Sequence, residues 1–305
     1  TGYSKYYNII EKFSNDLYSS ETRPFGYSFN HRFKKGKDSC NGLIGQAWTF
    51  EALRYASFVT ENNKYAELAE LVFLQHVFNP ECGLWNRLEI DGDILSIDST
   101  FNHQLWFSAC AAILETPENK KIKARVTVFL DHLYENLSVL DNGLIFHPIE
   151  NQFSSTEWNW STSYNIKDSM NKIFTLLNMN RGQNNNFNES KIQKMVHKSI
   201  GYHQFNMYAF AMLKENLQDH PFWKLSKFRK TIDYLISDEF KNVLSDNIYA
   251  YSYNPPGFEV PYALSVLTDL SEDELIIPCS WWVNEQFRRC YNHKTRMMDR
   301  NTNDP

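Results

Sequence analysis

Five helix starts in this chain carry the same mixture of polar and aromatic side chains, and that recurrence constrains the fold more than any other feature. Asn102-His103-Gln104-Leu105-Trp106-Phe107 and Tyr202-His203-Gln204-Phe205-Asn206-Met207-Tyr208 each set a His-Gln pair among aromatics, at what reads as the head of an apolar helix. Gly42-Leu43-Ile44-Gly45-Gln46-Ala47-Trp48, Gly257-Phe258-Glu259-Val260-Pro261-Tyr262 and Ser280-Trp281-Trp282-Val283-Asn284-Glu285-Gln286 share the layout. Apolar residues at helical spacing behind such heads mark buried helices. Polar groups at the heads imply that the starts converge and line a wet pocket.

The rest of the chain fits a nearly all-helical reading. Tyr3 to Tyr18 is amphipathic, with Tyr7, Ile10, Phe13 and Leu17 at helical spacing. Gly42 to Thr60 and Asn63 to Val77 form a hairpin ended by Asn79-Pro80. Gly83 to Ile97 reads as a short β-hairpin turning at Asp91-Gly92. Ser99 to Leu114 and Glu118 to Leu137 make a second helical hairpin, and Asn142-Gly143-Leu144-Ile145 repeats the layout of Cys82-Gly83-Leu84-Trp85. Asn165 to Asn178 is a third inner helix, and the Asn-rich Gln183-to-Asn188 stretch is a surface loop. Tyr202 to Glu215 pairs with Pro221 to Ser237, and Phe258 to Leu267 follows. Ser280 opens the last helix. The inner heads fall near Gly45, His103, Asn165, His203 and Glu259, roughly 40 to 60 residues apart, long for a solenoid repeat and short for separate domains. Helical hairpins of that size closing in a ring give an all-α (α/α) toroid with short β-hairpins in its loops. An open solenoid is the alternative. No linker divides residues 1–305, so one domain is expected, and a start at Thr1 is compatible with a longer parent protein.

Composition narrows the function. A net charge of −5 lacks the basic footprint of a nucleic-acid binder, and Arg32-Phe33-Lys34-Lys35-Gly36-Lys37 is too short to supply one. No apolar run reaches the ~18 residues of a membrane span, and no signal-peptide pattern is present. Five cysteines without a CxxC spacing read as reduced residues of a cytoplasmic protein, Cys110 among them as a small core residue. Cys290 and His293 have no second pair to complete a zinc set. No metal or other cofactor is expected.

The segments Gly42–Trp48, Phe101–Phe107 and Gly257–Tyr262 resemble the six-hairpin glycosidase superfamily, and within it the AglQ-like proteins of polysaccharide and glycan-assembly gene clusters. The resemblance covers most of the chain as a pattern of helix heads. It implies an (α/α)6 toroid with a sugar-handling site at the open end of the ring. The sixth hairpin departs from that pattern: Arg300-Asn301-Thr302-Asn303-Asp304-Pro305 stands where a closing helix belongs, so the chain is cut short or Tyr3–Tyr18 closes the ring.

Glycoside hydrolysis usually needs a protonated acid and a carboxylate base or nucleophile. Asp98 precedes the His103 helix, where an N-cap is the simpler role. Glu259 follows a Pro-Pro-Gly turn at a helix start. Glu51 lies inside an apolar helix, where burial raises a carboxyl pKa as a general acid requires, unless it forms a core ion pair. Glu285 is a weaker candidate. The expected function is therefore a glycoside hydrolase acting on an oligosaccharide, with Asp98 and Glu259 as the pair and Glu51 as substitute. His103 and His203 facing each other across a ring would instead move a proton at a sugar carbon, as an epimerase or isomerase does. The plainer role for each is to orient a neighbour by hydrogen bonds. A toroid that binds glycans without chemistry is the third reading. Gln46, Gln104 and Gln204 are expected to bind sugar hydroxyls, and Trp48, Trp106, Tyr208 and Trp281 to offer ring faces. Tyr262 is a further substrate-binding residue and the tyrosine that would join the two histidines in an epimerase. Trp158 and Trp160 stand on a loop where a ligand would explain them. Arg32, with Arg23, would pair with a uronate.

Overall fold

The computed structural model describes residues 6–114, 120–149 and 187–301. These are mostly helical, with one small sheet of three strands. They form two compact units: Thr1–Asn136 with Met212–Phe222, and Leu137–Ala211 with Trp223–Pro305.

In the first unit, α1 (Tyr7–Tyr18), α3 (Lys64–Gln75) and α4 (Phe101–Ala112) pack on α2 (Gly42–Thr60). The strands β1 (Phe78–Asn79), β2 (Leu84–Leu88) and β3 (Ile94–Ile97) form an antiparallel sheet in that order, with Phe78 opposite Trp85 and Asn86 opposite Ile97. The expected hairpin around Asp91-Gly92 is therefore present, with one added strand. Helices α5 (Lys120–Asp131) and α6 (Leu133–Asn136) follow. Phe50, Phe73, Trp85, Phe107 and Phe129 are buried together, with Phe73 stacked on Phe107 at 5.1 Å between centroids.

In the second unit lie most of α7 (Phe187–Asn216), then α8 (Ser226–Ile236), α9 (Asp238–Leu244), α10 (Pro256–Leu267) and α11 (Glu272–Cys290). Helices α10 and α11 pack as a pair. Phe210, Phe228, Phe240 and Trp282 are fully buried. Two expected helix starts are corrected here. His203 and Gln204 do not head a helix but stand in the middle of α7, which also takes in Phe187 and Asn188. Gly201 is glycine because of packing, since a Cβ there would lie 2.4 Å from Tyr249 Cβ and 2.5 Å from Asn247 Oδ1. Likewise Ser280 and Trp281 are internal to α11. That helix begins at a capping box, with Ser271 N–H donating to Glu274 Oε2 at 2.8 Å and Glu274 N–H to Ser271 Oγ at 3.4 Å. The box starts the helix well before Pro278, which breaks the apolar pattern there. The expected Asn165–Asn178 helix lies outside the described residues. Among the described residues no helix is long and apolar enough to cross a membrane.

Buried side chains tie the helices to the loops. Gln104 Oε1 accepts the Trp85 N–H at 3.0 Å, and its Nε2 donates to Trp85 O at 2.8 Å and Asp98 O at 3.0 Å. A loop carbonyl or amide buried without a partner costs about 1–3 kcal/mol. Gln104→Ala strips three such groups at a site with 0% exposure, so urea unfolding is expected to show a loss of about 3 kcal/mol. A loss below about 0.5 kcal/mol, the range of an ordinary surface change, would show that the clamp is not stabilising.

Candidate functional site

The first unit places an acid and a histidine at the head of α2. Helix α2 begins with two left-handed residues, Asn41 (φ 56°) and Gly42 (φ 60°), and no side-chain cap of its own. Its leading N–H groups, which no helix can satisfy internally, go to two aspartates. Gly42 N–H donates to Asp38 Oδ1 at 3.0 Å, and Leu43 N–H donates to Asp98 Oδ2 at 3.1 Å. Asp98 therefore does not cap its own helix, as its position in the sequence implied, but seats a different one. It also accepts the Thr100 N–H at 3.1 Å and holds His103 Nδ1 2.8 Å from Oδ2. Burial alone would raise the Asp98 pKa. The adjoining His103, with the N–H groups of Leu43 and Thr100, brings it down to about 2. The His103 side chain is 24% exposed.

Arg32 turns inward to the same loop. Its guanidinium meets Asp38 Oδ1 at 2.5 Å, Asn41 Oδ1 at 2.7 Å and the Asp38 carbonyl at 2.7 Å. Arg87 holds the other Asp38 oxygen at 2.8 Å. A uronate would have to displace those bonds to reach Arg32. Arg23 is likewise folded onto the carbonyls of Gly26 and Tyr27. Glu51 is half-buried on α2, which raises its pKa. Trp48 and Tyr55, one turn to either side of it, are exposed, so the acid has an aromatic neighbour above and below on one helix face.

The glutamines are engaged by backbone. Gln46 Oε1 accepts the Phe29 N–H at 2.8 Å, and its Nε2 donates to Phe29 O at 3.0 Å and Cys40 O at 2.8 Å. With Gln104 bound as described, both amides have their two donor hydrogens committed and no exposed surface, so neither reaches a sugar hydroxyl in this structure. Gln204 donates to Gly201 O at 2.8 Å and is also fully buried. Trp106 is 5% exposed and belongs to the core.

In the second unit His203 is fully buried and bound at both nitrogens. Nδ1 accepts the Ile145 N–H at 3.3 Å, which leaves Nε2 to donate to Thr231 O at 3.0 Å. Burial, only partly offset by that carbonyl, lowers its pKa to about 3. It is a neutral structural group at neutral pH. Glu259, in the first turn of α10, is buried, and among the described residues its Oε2 has no partner. Burial raises its pKa to about 8. Tyr262, one turn further on, packs against Tyr208 with centroids 4.7 Å apart. Trp281 is 40% exposed, edge-on to buried Trp282, with Lys241 Nζ 5.3 Å from its ring centre. Glu285 is held by Arg288 and Arg289, which bring its pKa down to about 2. Trp158 and Trp160 lie outside the described residues.

The structure thus brings Asp98 and His103 together, and sets Tyr208 and Tyr262 beside each other on the helices that carry His203 and Glu259. Sequence reasoning passed over Asp38, the second seat of α2, although its place just ahead of the helix was a cap signal. Among the described residues no group of three or more His, Cys, Asp or Glu is arranged to hold a metal.

The two carboxyls respond oppositely to pH. Glu259 keeps its proton in the folded chain up to about 8, whereas the unfolded chain loses it near 4.5, so its contribution to stability is lost as pH rises across that window. Asp98, with its pKa depressed to about 2 from 3.8, contributes stability above that range and loses it as pH falls. Glu259→Gln is therefore expected to gain on the wild type between pH 5 and pH 8, by up to about 1.4 kcal/mol per unit. Urea unfolding of both proteins at those two pH values checks this. An unchanged difference would mean that the buried carboxyl is ionised.

No family model matches the chain, and no solved structure matches it. Over 290 residues, 94% of this chain and 75% of the relative, it is 37% identical to archaeal glycosylation protein Q of Haloferax volcanii. Identity at that level across nearly the whole chain leads to one conclusion: the chain belongs to the family of archaeal glycosylation protein Q.

Proposed function

We propose that the chain is a carbohydrate-active enzyme that hydrolyses a glycosidic bond in an oligosaccharide, with Glu259 as the proton donor. The observation that carries this reading is the buried Glu259 carboxyl, kept protonated up to about 8 and with Oε2 unpartnered among the described residues. A leaving glycosidic oxygen needs a neutral acid at neutral pH, and burial is how proteins make one. The Tyr262–Tyr208 pair one turn away supplies ring faces of the kind that sugar C–H surfaces pack on. The relative's name, a glycosylation protein, supports a glycan as the substrate class. The (α/α)6 toroid belongs to this reading as its expected architecture.

Glycoside hydrolysis usually also uses a second carboxyl, which acts on the sugar carbon directly or through water. Asp98, whose charge is spread over three N–H donors, is a weak base. Glu51, raised by burial, is the stronger base once ionised, but it and Glu259 belong to different compact units, so the partner of Glu259 is left unassigned. The two-histidine epimerase loses support because His203 spends both nitrogens on backbone.

Proton NMR of the protein in D2O with a panel of hexose and uronate oligosaccharides tests the reading. New reducing-end anomeric signals are expected, and Glu259→Gln should slow their appearance by about 10²–10⁴-fold. A Glu259→Gln variant that cleaves at the wild-type rate removes Glu259 from the chemistry. Binding without cleavage, weakened by Tyr262→Ala, would make the protein a glycan-binding one instead.

A further inference from the structure

We propose that Asp98 is a positioning residue, and that the proton acceptor at the head of α2 is Nε2 of His103, directed at a hydroxyl of a glycan or at water. This rests on the carbohydrate-active reading above and adds a group to it.

Both Asp98 oxygens are occupied by N–H donors: Oδ1 by Thr100 at 3.1 Å, and Oδ2 by Leu43 at 3.1 Å and His103 Nδ1 at 2.8 Å. An ionised carboxylate only accepts, so the ring nitrogen facing it must carry a proton. Whenever the ring is neutral its lone pair is therefore on Nε2, for which no partner occurs among the described residues. The side chain keeps 24% of its surface, so a small hydroxyl can reach it. This is the division of labour in a serine-protease triad, in which the carboxylate fixes the tautomer and stabilises the imidazolium while the histidine moves the proton.

The arrangement is built into the backbone. A Cβ on Gly42 would lie 2.7 Å from Asp98 Oδ2 and 2.9 Å from His103 Nδ1, so the chain leaves out a side chain where the pair sits. Asp98 is in turn fixed by the N-terminus of α2 and by Thr100, which keeps the ring from rotating Nδ1 outward. In the step itself a water or glycan hydroxyl gives its proton to Nε2 while its oxygen bonds the anomeric carbon. The glycosidic carbon–oxygen bond breaks, and its oxygen leaves with that electron pair and takes up a proton. The imidazolium then gives its own proton to water.

Long-range proton–nitrogen NMR correlations of the uniformly ¹⁵N-labelled full chain report which nitrogen of each imidazole is protonated, with His103 assigned by its absence in His103→Asn. The expected result is protonated Nδ1 and bare Nε2. In Asp98→Asn the amide can donate to Nδ1, and the ring should shift towards the opposite tautomer. Turnover in Asp98→Asn and in His103→Asn should each fall by about 10²–10⁴-fold, and the double variant should be no worse than either. A wild-type ring protonated at Nε2 overturns the proposal, as does full turnover in His103→Asn. If Asp98→Asn fails to fold, His103→Asn, which takes no bond from the α2 backbone, decides the turnover arm. A wild type that turns over no glycan overturns the hydrolase reading, whereas the tautomer in the ligand-free protein tests the pairing by itself.

Discussion

Side chains that act as surrogate backbone are what the described fold rests on. Gln46 binds Phe29 and Cys40, Gln104 binds Trp85 and Asp98, and Gln286 joins Gly257 N–H to the Tyr251 carbonyl. His203 does the same for Ile145 and Thr231. Each is a buried side chain, placed where an unpaired loop amide would cost more than a hydrogen bond gains. Long connections can therefore lie against buried helix faces and still have their polar groups satisfied. The catalytic candidates inherit this order: Asp98 is held from behind through its own carbonyl by Gln104, and only then can its carboxylate hold His103.

The first unit concentrates charge at a helix start. Two aspartates meet the N–H groups of α2, where the helix dipole favours anions, and Arg32 and Arg87 compensate the one nearer solvent. His103 stands beside the other. The second unit works by the opposite means, since among the described residues Glu259 has no cation beside it and burial keeps it neutral. One protein thus contains a carboxylate forced to ionise and a carboxylic acid kept from ionising, each by its own local surroundings.

Much of the helical layout was legible because burial and period agree. Helix α2 falls on Gly42–Thr60 as the pattern indicates, and the β-hairpin turns at Asp91-Gly92. The recurrence of Gly-Leu-Trp85 and Gly-Leu-Ile145 was also real, since both loop residues donate their N–H to a helix side chain. What misled was the matching His-Gln dipeptide. In α4 the clamp is Gln104 and the histidine is left to Asp98, whereas in α7 the clamp is His203 itself. A displacement of one residue exchanges the roles, and spacing along the chain does not reveal which side chain faces the loop. Polar residues at apparent helix heads were likewise read as ligands for sugar, although for Gln46 and Gln104 the ligand is the protein's own backbone.

The histidine clamp differs from the glutamine clamps in one respect. An amide has no proton to gain in the ordinary pH range, but imidazole does, and a protonated His203 would turn a second N–H toward the Ile145 amide that now donates to it. The folded chain resists that uptake down to about 3, while the unfolded chain accepts the proton near 6.5. Acidification through that interval therefore draws on this one tie and leaves Gln46 and Gln104 untouched. The loop carrying Ile145 accordingly has a built-in sensitivity to acid, as does the site of buried His76, whose pKa burial lowers to about 4.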